Sequence, residues 1–393
     1  MAQPTLLTFN AGSSTVKLGL FAMEEATPRR FGNGMVDLRR EPLMLHVTEG
    51  AETADIPLDA KVAEELDEVV AETLDVLATH FAHEAIAGAG HRIVHGGDRF
   101  HGPARIDDET LKAIEDLVPL APLHQPQGLR LIRSLRRLRP DIPQSASFDT
   151  AFHQTQTDAI RRLPLPREWF DRGVKRYGFH GLSYRFVASE LARIAPDIAA
   201  RKVVVAHLGS GASLCAIENG ESRATSMTFS TLDGIVMATR PGSLDPGVII
   251  HLAKGGLSVD AIEDMLYHRS GLLGLSGISA DARDLAASAA PEAHDALNHF
   301  ARTIAETTAS LGAVLEGLDA IVFTAGIGEH QPALRADVCR RLGFLGVAID
   351  AAKNARNAQR IDAASSRIAV FVIPTDEEQV IAEEAASLIA AGS

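Results

Sequence analysis

Cysteine is scarce in this 393-residue chain: Cys215 and Cys339 stand far apart, in neither metal-ligand nor redox spacing. That excludes a disulfide framework and makes a reducing cytoplasm the expected compartment. Positive charge is also short. Lys and Arg number 38 against 51 Asp and Glu, a formal net charge of −13, which argues against a nucleic-acid binder, since that would need a basic face. Five arginines do gather at 130–139 (Arg130, Arg133, Arg136, Arg137, Arg139), but no aromatic residue interleaves with them to stack on bases. A solvated helix face accounts for them. No apolar run is long enough to cross a bilayer, and the opening residues lack the basic start of a signal peptide. Neither nucleic acid nor membrane is therefore an expected partner.

What is present is ordinary globular material, 46% hydrophobic and 23% charged. The length exceeds one comfortable core, so two domains are expected. Residues 5–9 read as a buried strand, followed by Asn10-Ala11-Gly12-Ser13-Ser14. Val16, Leu18 and Leu20 then alternate with Lys17 and Gly19, a strand period. The Gly-Ser cluster thus joins strand to strand, unlike the Rossmann and Walker loops, which open helices. The second half repeats the pattern: an apolar strand at 203–208, then Gly209-Ser210-Gly211-Ala212-Ser213, then Leu214–Ile217 before an Asn219-Gly220 turn. Two copies of one unit suggest duplicated domains with a cleft between them.

Other elements follow from pattern. A helix is expected at 61–82, with Val62, Leu66, Val69, Val70, Leu74, Leu77 and Phe81 on one face. Strands are expected at 85–94, 319–324 and 368–373, and a long helix at 292–316. Ala325–Glu329 reads as a turn leading to a helix near Pro332. A closing helix begins after Pro374, capped by Thr375 or Asp376. The fold class is α/β, with mixed sheets flanked by helices.

Gly-Ser turns can present backbone N–H groups and hydroxyls to phosphate oxygens, and Asn10, Ser13, Ser14 and Lys17 would face such a group. A plain hairpin is the simpler reading of either turn alone; one turn in each half favours phosphate. Arg92 ends an apolar strand beside Gly96-Gly97; an anion clamp and a structural ion pair both fit it. His91 and His95 lie on a strand, where a four-residue spacing does not converge on a metal. His180 and Arg240 sit in glycine-bearing loops, where function concentrates, although a lone histidine is more often structural.

Together these segments resemble acetate kinases. The resemblance runs through the 10–14 cluster, His91–Gly97, Phe148–His153, Tyr177–Gly181, His207–Gly209, Gly211–Ser213, Gly271–Ser279, Phe323–Glu329 and Ile373–Glu378, in order over essentially the whole chain. It implies two duplicated domains of the actin/hexokinase (ribonuclease H-like) type. The first would span 1–150, completed by the C-terminal helix 377–393. The second, 151–376, would carry nucleotide binding and dimerisation. The implied reaction is reversible phosphoryl transfer between ATP and a short carboxylate. Asp149, Arg92, His180 and Arg240 would be the catalytic residues. Asn10 and Glu377 would help hold Mg²⁺ or Mn²⁺. Lys17 and the loop His207, Leu208, Gly209, Ser210 and Gly211 would contact the ATP phosphates. Asp281, Ala282 and Arg283, with Gly326, Ile327, Gly328, Glu329 and His330, would border the adenosine. Arg92, Val94, Leu123, His124 and Phe179 would line the acyl site. A homodimer is implied.

Several positions depart from the family pattern. Ser210 and His330 stand where asparagine is common, Leu182 and Tyr184 where threonine and histidine are, and Thr231 where proline is. Ala280 and Ala282 replace asparagine and methionine, and Pro241 replaces serine. None removes a proposed charge. Acetate is the expected acceptor; propionate, or a non-catalytic nucleotide-binding regulator on the same fold, are the alternatives.

Overall fold

Alternating apolar side chains build the first sheet of the computed structural model, which describes residues 4–12, 15–23, 27–50, 52–63, 66–80 and 86–390. The chain divides into two compact units, residues 1–152 with 376–393, and residues 153–375.

The first unit holds strands β1 (Thr5–Ala11), β2 (Thr15–Ala22), β3 (Arg29–Asp37), β4 (Leu43–Glu49), β5 (Glu52–Leu58), β6 (Ile86–Ile93), β7 (Ala104–Arg105) and β8 (Gln144–Phe148). Their order is β5-β4-β3-β2-β1-β6-β8-β7. Leu7, Phe9, Leu18 and Leu20 share one face and pack on Val69, Val70 and Leu77 of helix Asp67–His80 and on Leu131 and Leu135 of helix Gln125–Leu138. Leu6 and Phe21 point the other way, onto Ala382 and Ala385 of helix Glu377–Ala390. Gly90 lets that last helix sit close: a Cβ there would lie 2.6 Å from Ile381 Cγ2. Asp376 caps the same helix by accepting from the Gln379 backbone N–H at 2.9 Å. Seating and cap together fix Glu377 and Glu378 at the helix start.

The second unit holds β9 (Lys202–Leu208), β10 (Ala212–Glu218), β11 (Glu221–Thr225), β12 (Ala320–Thr324) and β13 (Ala369–Val372), in the order β11-β10-β9-β12-β13. It repeats the plan of β3-β2-β1-β6-β8. In each, two antiparallel pairings lead to a first strand that runs parallel to the next two. The Asn219-Gly220 hairpin has both residues at positive φ, 54° and 74°, the geometry that the β-strand twist favours.

Two expectations change. The helix expected over 61–82 begins at Asp67, and Val62 is exposed. The Glu72 carboxylate holds the N–H groups of Asp59 and Ala60 at 2.8 and 2.7 Å, which ties the preceding chain back as a loop. Phe81 lies outside the described residues. The segment read as a turn at Ala325–Glu329 is itself a helix, Ala325–His330, before helix Pro332–Arg341. Its last carbonyls find a donor from outside the segment: Arg335, fully buried, donates to Gly328 O and Glu329 O at 2.8 Å each. The arginines of helix Gln125–Leu138 are engaged in ion pairs, Arg133 with Glu115, Arg136 with Asp108 and Arg137 with Asp67.

Burial pushes the imidazoles of His91, His95 and His153 down to about 4. The unfolded chain titrates near 6.5 and so binds more protons between these values. Stability is therefore full above pH 6.5 and is lost as pH falls toward 4, by on the order of 3 kcal/mol for each histidine. Urea unfolding at a series of pH values checks this, with His91→Phe expected to show a shallower acid limb. Equal midpoints on both sides of the window contradict it.

Candidate active site

In the first unit the register aligns Phe9 with His91 and Ile93 with Phe148. Asn10, Arg92 and Asp149 thus come together where the parallel strands β1, β6 and β8 end, the edge where open α/β sheets bind ligands. Arg92 is fixed on every side. Its Nε and Nη2 donate to the two Asp149 oxygens at 3.0 and 2.7 Å, and its Nη1 donates to Asn10 Oδ1 at 3.0 Å. Asn10 Nδ2 in turn donates to Glu377 Oε2 at 2.9 Å and Glu378 Oε1 at 2.7 Å. Asn10 and Asp149 are buried. Burial opposes the charge on Arg92, but Asp149, Glu377 and Glu378 outweigh it and raise the guanidinium's pKa. Arg30 pairs with Asp376 at 2.5 Å and lies 3.7 Å from Glu378. Four carboxylates (Asp149, Asp376, Glu377, Glu378) therefore meet two guanidiniums (Arg30, Arg92), an excess of two negative charges.

That excess, on hard oxygen donors, suits a divalent cation such as Mg²⁺, which uses one or two carboxylates and keeps water or phosphate as its other ligands. No group of three or more His, Cys, Asp or Glu among the described residues forms a metal cage. Lys17 lies on β2 opposite Asn10 and is exposed. Ser13 and Ser14 lie outside the described residues. Val94 is buried just after β6; Leu123 is exposed, beside His124 at the start of helix Gln125–Leu138.

The second unit gathers the other set. His180 stands at φ 57°, just before helix Gly181–Ile194. Its turn is braced by His153, which bonds Phe179 O through Nε2 at 2.9 Å and Ser222 Oγ through Nδ1 at 2.8 Å. Gly178, at φ +84°, leaves no room for a side chain: a Cβ would lie 2.4 Å from His153 Cδ2. The His180 ring stacks on His207, centroids 4.2 Å apart at 18°. Its Nδ1 is 2.8 Å from Ser213 Oγ. Arg240 donates to Thr231 O at 2.8 Å, and its loop is tied to the Gly209–Gly211 turn by Ala238 N–H to Ser210 O at 3.1 Å. Burial lowers the pKa of Arg240, with Tyr267 opposing.

His180 and Arg240 meet over the Gly211 backbone. A Cβ on Gly211 would lie 2.8 Å from Arg240 Nη2 and 3.3 Å from His180 Nε2. Gly211→Ala is therefore expected to displace both side chains while the fold persists. Since a misplacement near 1 Å can cost about 10²-fold, kcat should fall by about that factor. Steady-state rates alongside a melting curve check it, and an unchanged kcat contradicts it.

The remaining segments lie in the same unit. Asp281 caps helix Ala282–Ala287 and binds Arg283 Nη2 at 2.6 Å, which lowers the carboxyl's pKa. Ala282 is buried. Gly326, Ile327, Gly328, Glu329 and His330 form one short helix, in which Glu329 Oε1 accepts the Thr375 N–H at 3.2 Å and His330 is exposed. Sequence reasoning passed over Glu378, Ser213 and Ser183. Glu378 directly follows Glu377, and Ser213 closes the second Gly-Ser turn, so adjacency was the available signal.

In the second unit, His180 and Arg240 are fixed donors suited to an anionic group. The description "Acetokinase family" fits residues 5–383 of the chain. An acetate kinase of Nitrobacter hamburgensis is 43% identical over 390 residues, covering 98% of this chain and 96% of its own. A solved propionate kinase of Francisella tularensis superposes with a TM-score of 0.90 at 34% identity, covering 97% of this chain and 99% of its own. The acetate kinase of Porphyromonas gingivalis gives 0.87 at 33% identity, with coverage of 96% and 98%.

Proposed function

The chain belongs to the acetokinase family, and from that premise we propose that it transfers a phosphoryl group reversibly from ATP to acetate, giving acetyl phosphate and ADP. The observation that carries this reading is a half-buried arginine held by hydrogen bonds in each unit, Arg92 by Asp149 and Asn10, Arg240 by Thr231. A protein that only sensed nucleotide would need no such clamps.

A phosphoryl group in transfer spreads negative charge over three equatorial oxygens, so catalysis is mainly positioning and charge stabilisation. Arg92, Arg240 and His180 supply the donors, held in place before the reaction begins. Acetate is ionised near neutral pH, so the nucleophile needs no general base. Asp149 acts instead as the organiser of Arg92. Mg²⁺, or Mn²⁺, would be held by Glu377, with Asn10 steering that carboxylate, and would neutralise phosphate charge. Lys17 and His207–Gly211 would receive the ATP phosphates. Asp281, Ala282, Arg283 and Gly326–His330 would border the adenosine. Val94, Leu123, His124 and Phe179 would surround the acyl group.

Asp149→Asn keeps the shape but removes the charge that locks Arg92; kcat is expected to fall by about 10²-fold or more. A near-normal rate with unchanged Mg²⁺ dependence contradicts the organiser role. The function itself is tested by trapping acetyl phosphate, formed from ATP and acetate, as the hydroxamate. No product above background from folded protein overturns it.

The likeness to a propionate kinase favours a second reading, propionate as acceptor. One methylene in an apolar pocket is worth only about 1–3 kcal/mol, so kcat/KM for acetate, propionate and butyrate decides. We further propose a cytoplasmic homodimer joined through the second unit. Helix Pro246–Lys254 carries Val248 and Ile250 yet buries none of its residues, and Val259 is 78% exposed. Patches of this kind mark association surfaces. A monomer-sized particle in light scattering contradicts the dimer. No helix among the described residues is long and apolar enough to cross a membrane.

A further inference from the structure

We propose that Tyr184 is a positioning residue: through Ser213 it fixes the tautomer of His180, so that Nε2–H and not a bare nitrogen faces the transferred group. The inference rests on the role given above to His180.

The geometry is a relay of three groups. Tyr184 Oη is 2.5 Å from Ser213 Oγ, and Ser213 Oγ is 2.8 Å from His180 Nδ1. Tyr184 and Ser213 are fully buried. The Tyr184 ring is held edge-on by His153 and His207, at centroid distances of 5.7 and 6.4 Å. Each link has one proton to give: one on the phenol, one on the serine, one on a neutral imidazole. Burial raises the phenol's pKa well above 10, so Tyr184 keeps its proton.

Two directions are open to such a chain. If Nδ1–H donated to Ser213, Nε2 would be bare and would turn a lone pair toward phosphate oxygens. If Tyr184 O–H donates to Ser213 and Ser213 O–H to Nδ1, Nε2 carries the proton and becomes a donor. Only the second offers the transferred group what it needs. On the Nε2 side lies the Gly211 backbone, with Arg240 converging on the same point.

The stacked neighbour repeats the device. His207 Nδ1 is 2.8 Å from Ser183 Oγ, which accepts from Thr375 Oγ1 at 2.8 Å. Each ring therefore meets a serine at Nδ1, each serine meets a second hydroxyl, and each Nε2 lies toward the Gly209–Gly211 turn. At the position where acetate kinases commonly carry histidine, a tyrosine removes the choice. Its hydroxyl always has a proton to donate, whereas a neutral imidazole nitrogen can donate or accept.

The test uses the full-length protein labelled with ¹⁵N-histidine, with the His180 signals assigned by comparison with His180→Gln. The wild type should show the Nε2–H tautomer. Tyr184→Phe, which keeps the ring and its packing, should shift His180 toward a mixture. It should also lower kcat about tenfold, with KM for ATP and acetate nearly unchanged. In a Ser213→Ala background, Tyr184→Phe should add little. An Nδ1–H tautomer in the wild type overturns the proposal, as does a Tyr184→Phe protein with wild-type kcat and tautomer. If the wild type makes no acetyl phosphate, the functional reading falls, and the tautomer spectrum still decides the relay.

Discussion

Replacing Arg92 with alanine is expected to lower kcat/KM for acetyl phosphate formation by about 10³-fold and to destabilise the first unit by about 3–5 kcal/mol. Both losses come from one set of contacts. In the proposed reaction the guanidinium would neutralise the developing charge on the phosphoryl group, and it is the bidentate partner of Asp149, which is only 1% exposed. Without it the buried Asp149 carboxylate loses its bidentate counter-ion. Arg92→Lys should recover little of the rate, because an ammonium cannot hold two Asp149 oxygens and Asn10 Oδ1 in one plane. Steady-state kinetics with urea unfolding of the two variants measures both effects. A Lys variant with near wild-type rates would show that charge alone suffices.

Arg240→Ala is expected to cost about 10²–10³-fold in kcat with much less effect on folding. Its guanidinium donates to the Thr231 carbonyl, and an orphaned carbonyl costs about 1–3 kcal/mol. The contrast with Arg92 follows from the partners: a buried carboxylate loses its counter-ion in one case, a single carbonyl loses a donor in the other. Added guanidinium ion should restore part of the Arg240→Ala rate, since the space above Gly211 remains. A variant that raises KM for ATP with kcat unchanged would mean that Arg240 binds ground state and transition state equally and adds nothing to the chemical step.

Much of the fold could be read from local pattern. The alternation of Val16, Leu18 and Leu20 and the Gly209–Gly211 and Asn219-Gly220 turns place the hairpins β1–β2, β9–β10 and β10–β11. These signals live within a few residues of one another, where the side-chain period decides the structure. The helix at Ala325–His330 was not legible, because Gly326 and Gly328 argue locally for a turn and the stabilising donor, Arg335, belongs to the next helix. At the site, Arg92 was visible as a strand-end arginine, but its fork onto Asp149 depends on how β6 pairs with β8 across 57 residues. The Tyr184–Ser213–His180 relay was hidden for the same reason: it joins a helix to a strand by tertiary packing, which no short window contains.

The proposed reaction requires Arg92 and Arg240 to act on the same migrating phosphoryl group. A double-mutant cycle on kcat/KM tests this most directly. If they share one transition state, the combined Arg92→Ala, Arg240→Ala enzyme should be less than about tenfold worse than the poorer single variant, because groups acting as a unit are strongly non-additive. Losses that simply multiply would mean that the two arginines work independently, and the account would be wrong.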